Sequence, residues 1–565
     1  MAKVVSIGAQ YFDKLREKGA FYVDKTYFIK EWWEREDDVT LITRPRRFGK
    51  TLNMSMTECF FSNKYSGRGD LFEGLSIWED KKYRELQGTY PVIFLSFAGV
   101  KGGDFEITKG TINELITDIY GKNEVLFKTD DVNEKDKEFY HSVNKNMPES
   151  VAHRAINRLC SRMHDYYGKK CIVIIDEYDT PMQEAWINGY WDELTAYIRG
   201  IFNNTFKTNP YLERGLMTGI TRVSKESVFS DLNNLNVVTT TSDEYADCFG
   251  FTEEEVFKAM DDQGIDPSEK AEVKKWYDGF TFGSIRDIYN PWSVTSYLDK
   301  KKMGLYWANT SGNGLINKLL REGDTDIKMK LERLMKGEPL RTELDEQIVF
   351  SQLGESRNAI WSLLLASGYL KVDKYEEIPE DDGQITFMYT LSITNLEVKA
   401  MFSKLIKDWF SRSPVFNDFI LAMLKGDIKA MNWYMNQVAL STFSYFDAGN
   451  RPSGKEPERF YHGFVLGLMV DKANDYIVKS NRESGFGRYD VVMEPKDSSD
   501  VAVIMEFKVY DEEDEATLSD TADSALRQIE EKRYDTELIN RGIPEEHIYK
   551  YGFAFEGEKC LIKKG

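Results

Sequence analysis

The stretch VTLITRPRRFGKT, residues 39–51, indicates the fold of the first half of the chain. Its first five residues are apolar or β-branched, which predicts a buried strand. TLNMSMTECFF (51–61) then predicts a helix, so the basic loop RPRRFGK connects a strand to a helix. The N-terminus of a helix attracts anions through its free backbone N–H groups. A loop in this position is therefore a candidate for binding phosphate.

The end of this loop matches the Walker A pattern, G-x-x-x-x-G-K-[ST]. Gly49, Lys50 and Thr51 fit the pattern, whereas Arg44 occupies the position of its first glycine. By this pattern Lys50 reaches the β- and γ-phosphates of ATP, and Thr51 ligates Mg²⁺. Arg47 and Gly49 are further candidate ATP-binding residues. A basic surface turn is the alternative interpretation.

A second apolar strand, in KCIVIIDEYD (170–179), ends in two acidic residues. This is typical of a Walker B segment, in which Asp176 holds Mg²⁺ through water and Glu177 orients the attacking water. A buried strand that ends in an acidic turn is the alternative. The sequence between Lys50 and Asp176 leaves room for an intervening strand and helices. Together the two patterns predict a P-loop ATPase.

Two more strand-like runs are YPVIFLSF (90–97) and RGLMTGITRV (214–223). Near-continuous apolar runs suit a parallel sheet with helices on both faces. Arg222, at the end of the latter run, is a candidate sensor of the γ-phosphate, and a surface arginine is the alternative. Further along, FTEEEVFKAM has Thr252 and Glu255 at the spacing of a capping box and opens a mostly helical region.

The composition limits the possible classes of protein. A length of 565 residues suggests about three or four domains. The net charge of −20 argues against a basic, sequence-blind DNA coat, so any contact with nucleic acid must be local. The five cysteines lack CxxC spacing, which fits a reducing cytoplasm. We find no apolar signal segment and no apolar run of about 18 residues, and so expect a cytoplasmic protein without a membrane span.

Near its end the chain contains SNRESGFGRYDVVM (480–493) and VAVIMEFKVY (501–510), which predict two strands joined by a turn. Alternate residues of a strand share a face, so Glu506 and Lys508 point the same way. In an antiparallel hairpin, Asp490 lies opposite about position 505 or 506. We therefore expect these three groups to converge.

Two carboxylates of this kind can bind Mg²⁺ or Mn²⁺, and a bound metal lowers the pKa of water and polarises a phosphoryl oxygen. Lys508 can orient that water or stabilise negative charge. This chemistry predicts phosphodiester hydrolysis, and the alternative is an edge strand with an ordinary Glu–Lys pair. Glu458 is a candidate third metal ligand on a preceding helix. His462, on the same helix face, is more often a packing residue than a ligand.

With these motifs the chain resembles the bacterial predicted AAA-ATPase-like proteins that carry a C-terminal PD-(D/E)xK nuclease domain. The family's Walker A loop also lacks the first glycine. The resemblance extends nearly from end to end and rests on nine strings: FYVDKT (21–26), RPRRFGKT (44–51), IIDEYD (174–179), FSDLNNL (229–235), WYDGF (276–280), YNPWS (289–293), YHGF (461–464), SNRESGFGRYD (480–490) and EFK (506–508).

The resemblance implies an α/β multidomain chain and a set of site residues. Carried over by position, the ATPase residues are Lys50, Thr51, Asp176 and Glu177, and the nuclease residues are Glu458, Asp490, Glu506 and Lys508. Gln528 matches a further helix position that is often seen in such folds. We expect an AAA-like ATPase core with a parallel sheet (1–249), a helical lid (250–330), a winged-helix-like or helical linker (331–447) and a restriction-endonuclease-like α/β nuclease domain (448–565). Within the linker, IWSLLLASGYLKVD predicts a helix that runs into a strand.

Three functions compete. The first is an ATP-regulated, Mg²⁺-dependent nuclease that serves defence against foreign DNA or a mobile element, with DNA favoured over RNA as its substrate. The second is a signalling switch whose C-terminal domain only binds nucleic acid or a protein. The third is a DNA-translocating motor, which requires a ring and an arginine finger in trans. The intact set of Asp490, Glu506 and Lys508 favours the first over the second. The sequence assigns neither the ring nor the arginine finger that the third requires, and a homo-oligomer is compatible with each.

Overall fold

The computed structural model of the chain describes residues 3–130, 132–221, 229, 232–310, 314–344, 358–379, 384–411, 414–436, 456–482, 489–511, 515–556 and 559–565. The chain divides into two compact units. The first comprises Met1–Thr310 and Pro339–Val398, and the second comprises Ser311–Glu338 and Lys399–Gly565. The division into four domains stays a prediction. No described helix is both long and apolar enough to cross a membrane.

The first 310 residues alternate helices and strands. In chain order these elements are α1 (Phe12–Glu17), α2 (Tyr27–Arg35), β1 (Val39–Thr43), α3 (Lys50–Phe61), α4 (Lys81–Leu86), β2 (Val92–Ser96), α5 (Phe105–Lys122), α6 (Glu134–Ser142), α7 (Glu149–Tyr167), β3 (Cys171–Asp176), α8 (Thr180–Asn188), α9 (Trp191–Phe202), β4 (Leu212–Gly219), β5 (Leu235–Val238), β6 (Phe251–Thr252), α10 (Glu253–Asp262), α11 (Lys270–Tyr277), β7 (Phe280–Phe282), β8 (Ile285–Tyr289) and α12 (Pro291–Lys300).

The remaining elements follow in the same numbering. They are α13 (Gly314–Glu322), α14 (Thr325–Lys336), β9 (Leu340–Glu343), α15 (Ala359–Ala366), β10 (Leu370–Pro379), β11 (Ile385–Ile393), α16 (Leu396–Ser411), α17 (Pro414–Lys425), α18 (Glu456–Asp471), β12 (Tyr476–Arg482), β13 (Tyr489–Pro495), β14 (Ala502–Val509), α19 (Leu518–Lys532), α20 (Asp535–Asn540), β15 (Ile548–Glu556) and β16 (Lys559–Lys564).

The first unit is built on a five-stranded sheet in the order β2-β3-β4-β1-β5, and all of its neighbouring strands are parallel. The four strands predicted from apolar runs are β1, β2, β3 and β4, so the predicted parallel α/β core is confirmed. Every residue of β1 and of β3 is buried. Such strands need cover on both faces, and fully buried Trp32 of α2 and Phe60 of α3 belong to the same core as Ile174 of β3.

A smaller part of the first unit follows the parallel sheet. Here α10 begins with the predicted capping box, in which Thr252 Oγ1 accepts from the Glu255 N–H and the Glu255 side chain accepts from the Thr252 N–H. The strands β6, β8 and β7 form an antiparallel sheet beside an aromatic core that includes Tyr277, Tyr289 and Tyr297. The helix that runs into a strand is also confirmed, because α15 leads directly into β10. That strand belongs to a three-stranded antiparallel sheet with the order β10-β11-β9.

The second unit contains a five-stranded mixed sheet in the order β12-β13-β14-β15-β16. The β14–β15 pair is parallel and the other pairs are antiparallel. The two faces of β14 meet different helices. The Phe507 ring stacks on Phe553 with 4.5 Å between centroids and contacts Phe464 of α18 at 6.0 Å. On the other face, Ile504 packs with Ile529 of α19. The helix α19 therefore covers the face to which Glu506 and Lys508 belong.

Candidate functional sites

The loop between β1 and α3 has the backbone of an anion-binding turn. Arg47 and Gly49 both adopt the left-handed conformation, with φ of 66° and 81°. Gly49 is the N-cap of α3, and no side chain caps that helix end. A Cβ atom at Gly49 would have no neighbour within 4 Å, so the space above the loop is open. A helix N-terminus that no side chain caps, beside open space, fits a phosphate group.

Lys50, the first residue of α3, is buried under this loop. Its Nζ donates to the carbonyl oxygens of Arg44, at 2.9 Å, and Pro45, at 2.8 Å. Burial lowers the pKa of Lys50, while the nearby carboxylates, Glu177 first and Asp179 next, act to raise it. The charge of Lys50 is thus held on neutral carbonyls close to the candidate phosphate-binding loop, where an anionic ligand is favourable.

Asp176 ends β3 and is fully buried. Its Oδ2 accepts from Thr51 Oγ1 at 2.8 Å, and its Oδ1 accepts from Thr218 Oγ1 at 2.7 Å. Burial raises the pKa of Asp176, and the two hydroxyl donors act against that rise. Strand β4 lies between β1 and β3 and supplies Thr218. A carboxylate and a hydroxyl at this separation are hard oxygen donors of the kind that Mg²⁺ prefers, so these residues fit the implied cation.

Glu177 follows directly and has an unusual backbone conformation for its residue type. Its φ of 53° lies in the left-handed region, which costs a non-glycine residue about 1–2 kcal/mol. Its N–H faces Thr218 Oγ1 at 3.4 Å, and its Oε2 accepts from Thr180 Oγ1 at 3.2 Å. The strained turn fixes the carboxylate just beyond the end of β3, next to Asp176.

Arg44 has a structural role that the sequence pattern did not reveal. The side chain is fully buried. Its guanidinium donates to the carbonyl oxygens of Thr43 (2.9 Å), Thr239 (2.6 Å) and Glu244 (3.1 Å), and it lies 4.7 Å from the centroid of the Phe282 ring. Burial lowers the pKa of Arg44 to about 10. Arg44 therefore anchors the start of the loop to the segment that follows β5.

Asp179 was also missed, although the string IIDEYD contains it. The side chain is buried, and its Oδ2 accepts from the backbone N–H groups of Ile220 and Thr221, both at 2.9 Å, and from Thr221 Oγ1 at 3.0 Å. The carboxylate thus holds the end of β4. An acidic residue three positions after the strand-end aspartate was the available signal, but sequence alone gives no partner for it.

The other predicted residues of this site are Arg47 and Arg222, and Phe48 is the neighbour of Arg47 in the loop. Arg47 is exposed, and its guanidinium lies 4.4 Å from the centroid of the Trp292 ring, so the structure places it on the side of the loop that faces the YNPWS string. Phe48 packs on Phe280, from the WYDGF string, with 4.8 Å between ring centroids. Arg222, the candidate sensor, lies outside the described residues.

The C-terminal candidate site is organised by the β13–β14 ladder. Asp490 and Glu506 are direct partners in this antiparallel ladder, which confirms the predicted hairpin register. Residues that pair directly across such a ladder share a face of the sheet. Glu506 has only 1% of its surface exposed. Lys508 is half-buried, and its Nζ donates to Ser524 Oγ of α19 at 2.8 Å.

Close packing of α19 brings this helix over the site. Gly552 of β15 is the register partner of Glu506, and a Cβ there would lie 2.4 Å from the carbonyl oxygen of Ala522 in α19. Only glycine permits this approach. Gln528 is buried in the same helix, and Tyr534 packs, partly buried, against the apolar cluster beneath it.

The side chains of Glu458, His462 and Asp490 lie outside the described part of the structure, although α18 and β13 include their backbones. Their roles therefore stay predictions. Among the side chains that are described, no three acidic, histidine or cysteine groups come together as a metal site would require.

Comparisons with known proteins match two separate regions of the chain. Residues 6–229 match the family described as predicted AAA-ATPase, and residues 456–565 match the PD-(D/E)XK nuclease superfamily. The chain is also similar to an uncharacterized protein in the vnfD 5′ region of Azotobacter chroococcum mcd 1. The two are 26% identical over 403 residues, which cover 70% of this chain and 69% of that protein. The chain therefore combines a region of the predicted AAA-ATPase family, residues 6–229, with a C-terminal region of the PD-(D/E)XK nuclease superfamily, residues 456–565.

Proposed function

We propose that the first unit binds and hydrolyses ATP. The observation that carries this proposal is the hydrogen bond between Thr51 and Asp176, because it brings the Walker A and Walker B segments into contact at one end of the sheet. Lys50 binds the β- and γ-phosphates there. A bound Mg²⁺ would neutralise phosphate charge beside Thr51 and Asp176. Glu177 accepts a hydrogen bond from the attacking water and orients it toward the γ-phosphate.

We further propose that the second unit cleaves phosphodiester bonds. The direct pairing of Asp490 with Glu506, and the placement of Lys508 two residues further on, support this. The carboxylates of Asp490 and Glu506, with Glu458, would hold Mg²⁺ or Mn²⁺, which activates water when bound. Lys508, positioned by Ser524, stabilises the developing charge on the phosphate. The substrate that we propose is DNA.

The linkage of the two sites suggests control of one by the other. The chain passes between the two units at three points, after Thr310, Glu338 and Val398. A rearrangement of the first unit on binding ATP therefore has three covalent connections through which to act. We propose that the nucleotide state sets the rate of DNA cleavage, in the cytoplasm, as part of defence or of a mobile element.

A single set of assays tests both activities. The purified chain is incubated with plasmid DNA and Mg²⁺ or Mn²⁺, with and without ATP, while released phosphate and DNA breaks are measured. We expect phosphate release that is lost in Lys50→Ala and DNA breaks that are lost in Glu506→Ala. Absence of phosphate release by the wild-type chain would refute the ATPase. DNA that stays intact in every metal and nucleotide condition would favour a C-terminal domain that only binds.

A further inference from the structure

Arg46 and Arg47 are neighbours in the phosphate-binding loop, but their side chains have different partners. Arg47 lies over Trp292. Arg46 is half-buried, and one of its terminal guanidinium nitrogens donates to Oε1 of Gln183 at 3.1 Å. Gln183 belongs to α8, the helix that follows the Walker B segment. Arg46 thus crosses from the phosphate-binding loop to the acidic side of the nucleotide site.

Gln183 links Arg46 to the end of β4. Its Nε2 faces Oδ2 of Asp179, one helical turn earlier, at 3.3 Å. The same Asp179 oxygen accepts from the backbone N–H of Thr221 at 2.9 Å. A continuous polar connection therefore joins the loop, α8 and the strand between the Walker A and Walker B strands. A change in the position of Arg46 would reach all three elements.

The charge of Arg46 is also close to Lys50. After the dominant effect of burial, the positive charge of Arg46 is a further factor that lowers the pKa of Lys50, while Glu177, Asp179 and Asp176 act in the opposite direction. Arg46 and Lys50 thus bring two positive charges to the loop, which suits it to a polyanion, and the three carboxylates lie close enough to act on Lys50. The terminal phosphate of a nucleotide held by Lys50 points toward the acidic side, because the Walker B residues act on it.

We propose that Arg46 exchanges its hydrogen bond to Gln183 for the terminal phosphate of ATP, and that it is the residue by which the site distinguishes ATP from ADP. This inference rests on the proposed ATPase function. A guanidinium bond to phosphate is charge-assisted and roughly twice as strong as one to a neutral amide, so the exchange is favourable with ATP. ADP has no γ-phosphate, and with ADP the bond to Gln183 remains. Release of Gln183 would then report the triphosphate state to Asp179 and β4.

The test is equilibrium titration of the full chain, in Mg²⁺, with ADP and with a non-hydrolysable ATP analogue. In Arg46→Gln we expect the affinity for the analogue to fall by about tenfold or more, the scale of one charge-assisted hydrogen bond, and that for ADP to fall less than about threefold. Gln183→Ala should retain the preference for the triphosphate, because the cation remains. Arg68→Gln, at a surface arginine paired with Glu17 and Asp70, is the matched control and should bind like the wild type.

Two results separate the inference from the function on which it rests. Equal losses for both nucleotides in Arg46→Gln, or no loss for either, would overturn the role of Arg46 while leaving the ATPase intact. A wild-type chain that binds neither nucleotide would overturn the proposed ATPase, and the inference with it. If Arg46→Gln does not fold, as judged by circular dichroism, Arg46→Lys replaces it. Lysine keeps the charge but loses the planar fork of the guanidinium. The affinity of Arg46→Lys for the analogue should therefore fall more than its affinity for ADP. An unchanged preference for the analogue would count against the proposal.

Discussion

Thr51 Oγ1 donates to Oδ2 of Asp176 at 2.8 Å, although the two residues are 125 positions apart in the sequence. Each belongs to a segment that has an ordinary explanation by itself, either a basic turn or an acidic turn. Their contact favours a shared site over both explanations, because a buried carboxylate and a hydroxyl meet beside the candidate phosphate-binding loop. The ATPase function that we propose for the first unit rests on this relationship.

Removal of the Lys50 ammonium should eliminate the ATPase. In Lys50→Ala we expect the rate of ATP hydrolysis to fall about 100-fold or more, because one preorganised donor to transferring phosphate is typically worth that much. Little apolar area is lost, so the circular dichroism spectrum should be unchanged. Lys81→Ala, at an exposed lysine, is the control. Hydrolysis by Lys50→Ala at the wild-type rate would show that the loop has been assigned wrongly.

Binding and turnover should separate at Glu177. Glu177→Gln keeps the shape and the contact with Thr180 but loses the charge that orients water, so we expect ATP–Mg²⁺ affinity near that of wild type and hydrolysis slowed about 100-fold. Titration of binding and steady-state phosphate release measure the two quantities. The exposed Glu193 provides the control variant, Glu193→Gln. Loss of binding in Glu177→Gln would instead assign Glu177 a structural role.

Asp278, in the WYDGF string, should make stability depend on pH. Burial, together with the neighbouring Asp287 carboxyl, raises the pKa of Asp278 to about 7, although Lys274 lies 3.9 Å away. The unfolded chain binds this proton only below about pH 4. The folded state therefore holds one more proton between about pH 4 and pH 7, and this group lowers the stability as the pH rises through that window.

Asp278→Asn mimics the protonated form and should remove this dependence. At pH 8 we expect the free energy of unfolding of the variant to exceed that of the wild type by about 1–3 kcal/mol. At pH 5 the difference between the two proteins should be smaller. Chemical unfolding at the two pH values measures the difference. The same offset between the two proteins at both pH values would contradict the raised pKa.

The C-terminal site should depend on both paired carboxylates. Asp490→Ala and Glu506→Ala should each abolish metal-dependent DNA cleavage, because each removes a proposed metal ligand, while ATP hydrolysis persists in both. Asp497→Ala, in the exposed turn between the same two strands, controls for local disturbance and should cleave normally. Cleavage that continues in both site variants would show that the metal is held elsewhere.

Much of the fold could be predicted because local patterns agree with the tertiary structure. Buried parallel strands are apolar along their whole length, so β1 and β3 were visible in the sequence with nearly the bounds that the structure gives. Because side chains alternate between the two faces of a β-strand, the sequence also predicted that Glu506 and Lys508 lie on the same face. The turn residues between the last two predicted strands then set the register that pairs Asp490 with Glu506.

The missed residues depend on contacts across long sequence separations. Arg44 binds carbonyl oxygens of residues 239 and 244, about 200 positions away, and a single sequence gives no signal for such a partner. Asp179 binds the end of β4 in the same way. Conversely, the side chains of Glu458 and Asp490 were singled out by pattern and resemblance, and their roles remain predictions.

The central claim is that nucleotide bound in the first unit controls cleavage by the second. Moving such a switch from 1:99 to 99:1 requires about 5.5 kcal/mol of differential affinity, which is within reach of several charge-assisted contacts to a γ-phosphate. Either sign is compatible with the account, since ATP can release or restrain the nuclease.

The most direct test is the rate of plasmid cleavage with Mg²⁺ or Mn²⁺ in three states, without nucleotide, with ADP and with a non-hydrolysable ATP analogue, for wild type and Lys50→Ala. The account predicts that the wild-type cleavage rate changes about tenfold or more between the ADP and analogue states. The cleavage rate of Lys50→Ala should be the same in all three states. Equal wild-type rates in every state, with saturation by nucleotide confirmed, would contradict it and leave two independent enzymes on one chain.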